Sequence, residues 1–239
     1  MTPLQEIWVY LAERPLFALT LTLATWLGAQ WIFERSGGRA WANPVLLSVL
    51  VLSVFLLASR TEYATYFEGA QFIHFLLGPA TVALAIPLYH QLGRIRRNAP
   101  AIAAGLATGS LLAVASTLIL LALFGAGPLL LASLAPKSVT SPVAMALAEQ
   151  LGGSPPLAAV HVILTGILGA SFGPWLLDRL RIADEAARGL ALGVAAHGIG
   201  TARALRESAR CGAFAGLGMG LNALLTAAYL PLLGGLLSG

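Results

Sequence analysis

The stretch PKSVTSPVAM, Pro136 to Met145, gathers more chemistry than anything else in this chain of 239 residues. It holds the one lysine, Lys137, with the hydroxyl residues Ser138, Thr140 and Ser141 and two prolines, between long apolar runs. Pro136 and Pro142 interrupt a helical hydrogen-bond ladder, because proline has no N–H to donate and its ring clashes with the preceding turn. Backbone groups around Lys137 are then free to face a ligand. A helix restarting at Ser141 or Pro142 would aim its positive end and unpaired N–H groups at the same space. With the ammonium of Lys137 and three short hydroxyls, this is a site for a small anion, most naturally a carboxylate. The competing reading is that Lys137 reaches along its stem to the membrane interface and the prolines only end a hairpin. For an ionisable residue flanked by apolar runs, function is the default expectation.

Two further stretches share this grammar. In FLLGPATVALAIPLYHQ, Phe75 to Gln91, Gly78-Pro79 breaks the helix, Thr81 offers a hydroxyl beside the break, and Pro87 kinks the chain again. Tyr89 and His90 lie next to Arg94 and read as interfacial. In AAHGIGTARALRE, Gly198 and Gly200 permit close backbone approach or local unwinding, and Thr201 is polar. His197 could carry a proton near neutral pH or serve as a packing hydrogen-bonder. Arg203 could hold a carboxylate bidentately or be one more cytoplasmic anchor. Glu149 is a second candidate for proton coupling, or else a solvated residue at a helix end.

Composition dictates the elements that position these residues. With 58% hydrophobic and 10% charged residues, and a mean hydropathy of +0.82, the chain has too little polar surface to cover itself in water. Lipid must be the solvent. The fold class expected is an all-α polytopic membrane protein, a single integral membrane domain over 1–239. About six full spans are predicted, at 15–34, 44–59, 71–92, 100–124, 156–178 and 210–237, plus broken or re-entrant helices at 127–152 and 189–202. The first span lacks the basic start and cleavage site of a signal peptide, so it is expected to remain in the mature protein.

Thirteen arginines and one lysine exceed the ten acids, but the basic residues sit in short loops and form no patch with interleaved aromatics, which argues against nucleic acid. Their clusters at 35–39, 94–97, 179–188 and 203–210 all belong in the cytoplasm by the positive-inside rule. That requires 127–152 to enter and leave on one side, and it places both termini outside. An internal repeat is suggested by Thr81–Gly93 (TVALAIPLYHQLG) and Thr140–Gly152 (TSPVAMALAEQLG), which align without a gap through Thr, Ala, Leu and a terminal Gln-Leu-Gly. Repeats of this kind put discontinuous helices at the centre of transporters.

Other patterns exclude themselves. GASFG, Gly169 to Gly173, matches G-x-S-x-G but lies in an apolar span rather than on a strand-to-helix elbow. The glycines at 105/109, 169/173 and 212/216/220 are spaced for close helix packing. One cysteine, Cys211, allows neither an internal disulfide nor a multi-cysteine metal site. No enzyme, metal or cofactor is expected.

In order and spacing, NPVLLSVL (Asn43–Leu50), FLLGPATVALAIPLY (Phe75–Tyr89), PKSVTSPVAM and HGIGTARA (His197–Ala204) resemble the LrgB/CidB family of bacterial inner-membrane proteins, over nearly the whole chain. Members are described as antiholin-like, acting with a small hydrophobic partner of the LrgA/CidA type. Similar sequences form the second half of the plastidal glycolate/glycerate translocator, and bacterial relatives are linked to pyruvate uptake. The resemblance therefore implies a carrier of small 2-hydroxy or 2-oxo monocarboxylates. Asn43, Pro79, Thr81, Lys137, Ser138, Thr140, His197, Thr201 and Arg203 stand where the family's motifs stand. On this reading Lys137 and the half-helix N-termini hold the carboxylate, Thr81, Ser138, Thr140 and Asn43 hold the 2-hydroxyl, and His197 or Glu149 couples protons. The rival reading is a holin-like or antiholin-like regulator of murein hydrolase activity and lysis, which works by assembling with the small partner, with copies of itself, or with both.

Overall fold

A computed structural model describes residues 15–76, 79, 82–83 and 85–234. Every regular element among them is helical. The chain divides into two compact units, Met1–Ala83 and Leu84–Gly239.

In the first unit, α1 (Pro15–Arg35) packs against α2 (Pro44–Ser59) and α3 (Tyr63–Phe75). The Thr22 and Tyr66 hydroxyls meet at 2.6 Å, and the rings of Phe17 and Phe55 lie 6.3 Å apart. After α1 the chain reverses through Gly37 and Gly38, at φ 70° and 76°, a left-handed region that side chains disfavour. Asn43 then starts α2, its Oδ1 accepting from the N–H groups of Val45 (2.9 Å) and Leu46 (3.3 Å). This is an ordinary N-cap, with Pro44 next where a missing N–H costs nothing.

The second unit runs through two short helices, α4 (Ala85–His90) and α5 (Leu92–Arg97), to the long α6 (Ala99–Leu123). It continues with α7 (Pro128–Leu134), α8 (Ser141–Gln150), α9 (Pro155–Arg179), α10 (Glu185–Glu207) and α11 (Ala209–Tyr229). A 3₁₀ turn at Leu230–Leu233 prolongs α11.

Among the described residues, four helices are long and apolar enough to cross a membrane: Leu16–Arg35, Ala99–Leu123, Pro155–Arg179 and Ala209–Leu233. Pro44–Ser59 is apolar but shorter. The span expected over 71–92 is not one helix. α3 stops at Phe75, just before Gly78-Pro79 in the sequence, and helix resumes in the pieces α4 and α5.

α10 turns back on itself. Ala196 (φ −128°, ψ 15°) and His197 (φ 42°, ψ −132°) leave the helical region. Arg188, near the start of the element, and Glu207, its last residue, form an ion pair of 3.0 Å. A straight helix would separate residues nineteen positions apart by about 28 Å. A Cβ on Gly200 would stand 2.3 Å from the Leu192 carbonyl oxygen, although eight residues of straight helix rise about 12 Å. The element is thus a helical hairpin with its tip at His197. Its entering arm packs so tightly on α11 that a Cβ on Gly193 would stand 2.0 Å from the Ala215 carbonyl oxygen.

α7 and α8 make a second hairpin. Beyond α8, the Ser154 N–H donates to Ser133 Oγ at 2.8 Å, and Gly153 lies on the backbone of Ala132 and Ser133. Leu131 and Ala135 pack with Leu147 and Leu151 between the arms. Both stretches that the sequence marked as broken therefore fold back on themselves.

A cleft where two hairpin tips meet

The tips of the two hairpins are joined by one side chain. Asn222, in the middle of α11 and 1% exposed, donates through Nδ2 to the carbonyl oxygens of Ser138 (3.1 Å) and Val194 (3.2 Å). The first lies in the Pro136–Thr140 turn and the second just ahead of the α10 reversal, so one amide satisfies acceptors released by both breaks. A polar line continues from it along α11. Thr226 Oγ1 lies 3.5 Å from Asn222 Oδ1 and 3.1 Å from Ser110 Oγ on α6. Tyr229 donates to the Ser110 carbonyl oxygen at 3.1 Å.

Sequence reasoning missed Asn222, Thr226 and Ser110. The signal was present: Asn222, Thr226 and Tyr229 fall at i, i+4 and i+7 in an apolar run, one face of a helix.

Beside the tips lies a cleft of about 820 Å³, walled by α6, α9 and the entering arm of α10. Small residues make it roomy: Gly105 and Gly109 from α6, Gly169 from α9, Ala191 and Ala195 from α10. Lys137 and Ser138 line it. Lys137 is half-buried, and no carboxylate lies within ion-pair distance of it among the described residues. Thr165 adds a hydroxyl that the sequence did not single out.

The other residues singled out from the sequence take different places. Thr140 and Ser141 start α8, where Thr140 is the N-cap residue and makes no side-chain capping bond. His197 is buried at the reversal, its Nε2 bonded at 2.8 Å to the Val162 carbonyl oxygen of α9. A carbonyl only accepts, so Nε2 carries the proton. Thr201 is also buried and donates to the His197 carbonyl oxygen at 2.8 Å. Gly166 makes room for the imidazole, since a Cβ there would come within 2.6 Å of the ring. Neither His197 nor Thr201 lines the cleft.

Arg203 pairs with Glu207 one turn on, at 3.4 Å. Glu207 also binds Arg188, which reaches Asp178 at 2.7 Å. The hydrogen bond to Glu207, helped by Asp178 and opposed by desolvation, holds the Arg188 guanidinium above its ordinary pKa. Arg210 meets Asp184 at 3.1 Å. This ionic cluster clasps both ends of the α10 hairpin, placing the 179–188 and 203–210 basic clusters on one side of the unit. Glu149 is exposed at the end of α8. Asn43 belongs to the first unit as the cap of α2, and Thr81 lies outside the described residues. Among the described residues no group of three or more His, Cys, Asp or Glu could hold a metal ion.

Long apolar helices, helical hairpins and a clasp of charge at one end define a polytopic all-α membrane protein. The chain belongs to the LrgB-like family, whose profile matches residues 22–236. It is 38% identical over 216 residues to the uncharacterized protein YwbG of Bacillus subtilis, covering 90% of this chain and 96% of that one. It is 33% identical over 220 residues to the holin-like protein CidB of Staphylococcus aureus, covering 92% and 96%. No solved structure matches the chain. As a member of this family it is a multi-pass protein of the bacterial plasma membrane.

Proposed function

We propose that the chain is a holin-like component of the bacterial plasma membrane, which controls passage across the bilayer and, through it, murein hydrolase activity and lysis. The observation that carries this reading is the similarity to holin-like proteins along 80% to 92% of the chain. A small hydrophobic membrane partner of the LrgA/CidA type, further copies of the chain, or both would complete the assembly.

A second reading, a carrier of small 2-hydroxy or 2-oxo monocarboxylates of the glycolate, glycerate, lactate and pyruvate class, is favoured by one feature of the geometry. Lys137 faces a cleft at the meeting point of two hairpin tips without a carboxylate partner among the described residues. Discontinuous helices at a repeat interface are where carriers bind their substrates, and the aligned stretches Thr81–Gly93 and Thr140–Gly152 fit such a repeat. A bound carboxylate would supply the missing counter-charge, with Ser138 and Thr165 in reach of a 2-hydroxyl.

Flux into proteoliposomes, with and without the small partner, separates the two. The holin-like reading expects leakage graded by solute size that does not saturate. Saturable uptake of labelled pyruvate or glycolate, competed by related acids and lost in Lys137→Ala, would overturn it in favour of the carrier.

A further inference from the structure

The first unit carries a second concave site, far from the cleft in sequence and of different chemistry. At the end of α1, a pocket of about 370 Å³ is lined by Trp31, Ile32, Arg35, Ser36, Arg39 and Trp41. Trp31 and Trp41 are 57% and 60% exposed, large surfaces for residues that usually bury their rings. The Arg35 guanidinium stands over the Trp31 ring, 4.8 Å from its centroid, which orients its donors without consuming them. Neither Arg35 nor Arg39 forms an ion pair among the described residues. The nearest acid in sequence, Glu34, is not in the lining and accepts a hydrogen bond from Gln30 at 2.8 Å. The wall is shaped by the Gly37-Gly38 reversal and the following 3₁₀ turn at Ala40–Ala42, so the two arginines come from either side of a fixed bend.

We propose that this pocket binds the phosphodiester headgroup of an anionic phospholipid. Two guanidinium forks suit phosphate oxygens, which they bind bidentately. Amphipathic indoles suit the headgroup level of a bilayer, where tryptophan concentrates. The pocket sits at the end of an apolar helix long enough to cross the membrane, so a lipid could seat its phosphate there while its acyl chains run along α1. Ile32 in the lining and the exposed Leu23 and Leu27 further up the helix offer that apolar track. Basic pockets at the cytoplasmic ends of membrane helices recognise such headgroups by the same physics.

The test uses the full chain in vesicles of phosphatidylcholine containing a minor fraction of brominated phosphatidylglycerol or, separately, brominated phosphatidylcholine. Bromine quenches indole fluorescence on contact. Stronger quenching by the brominated phosphatidylglycerol, lost when Trp31 and Trp41 are both changed to Phe, is the expected result. Arg35→Gln combined with Arg39→Gln should weaken that preference roughly tenfold or more. Should that double variant fold poorly, Arg35→Lys with Arg39→Lys keeps the charge and removes the forks, and is expected to give an intermediate preference. Equal quenching by the two lipids, or a preference that survives loss of both tryptophans, would overturn the proposal. So would competition by inorganic phosphate at millimolar concentration, which would mark a site for a free anion.

Discussion

The second unit contains two breaks in its helices, and they are built on opposite principles. At the α10 reversal every polar group named has an internal partner: His197 bonds to Val162, Thr201 bonds to the His197 carbonyl, and Gly200 admits the opposite arm at Leu192. At the α7–α8 turn the backbone is likewise held, with the Ser138 carbonyl on Asn222, but Lys137 projects into a cleft with no counter-charge supplied by the described residues. The first break is held by internal partners, whereas the second leaves Lys137 facing the cleft. Polarity inside a membrane thus marks function only where the protein leaves a group unsatisfied.

Substitutions should separate the scaffold from the site. The largest effect on stability is expected from Gly193→Ala, whose methyl would be forced into the Ala215 carbonyl. It should cost about 3 kcal/mol, the upper end for overpacking, visible as a large fall in the unfolding midpoint in detergent. A midpoint within a degree of the parent would refute the close approach of α10 and α11. His197→Leu removes the bond that pins the reversal to α9 and sets a differently shaped side chain against Gly166, a loss of about 2 kcal/mol. If His197 also carried protons, the pH dependence of flux would vanish with it; a purely structural histidine loses stability and keeps the pH profile of whatever flux survives.

Asn222→Leu comes third, at about 1 kcal/mol, since hydrogen bonds between membrane helices are individually modest. Because Asn222 holds both tips, it should loosen them together, raising hydrogen exchange at residues 137–141 and 194–198 alike. Exchange raised in only one segment would deny that the tips are coupled. Lys137→Gln should change stability least, by under about 0.5 kcal/mol, because no internal partner is lost. Its effect should be confined to solute: the carrier reading expects saturable uptake to disappear, and the holin-like reading expects leakage to continue unchanged.

Much of this was legible in the sequence for particular reasons. Helices α1, α2, α6 and α9 are apolar runs bounded by charge, Pro or Gly, so hydropathy alone located them nearly to the residue, and it located the start of α11 but not its end at Tyr229. The two stretches that fold back were marked by Pro136/Pro142 and Gly198/Gly200, residues that disrupt helices whatever surrounds them. The 71–92 segment misled because its hydropathy is that of a span, while helix stops at Phe75 and again at His90. Arg203, Thr201 and His197 were read as candidates for ligand chemistry because a one-dimensional reading cannot reveal that Glu207, the chain's own carbonyls and Val162 engage them first.

By itself the sequence determined the solvent, the helices and the places where they break, since these follow from transfer free energies and from the backbone limits of proline and glycine. Only the tertiary structure decided that the two breaks are hairpins whose tips share Asn222, that His197 is spent on Val162, and that Lys137 is left facing open space. Those outcomes depend on distances between residues far apart in the chain, and a satisfied polar group differs from a free one only in what has folded beside it.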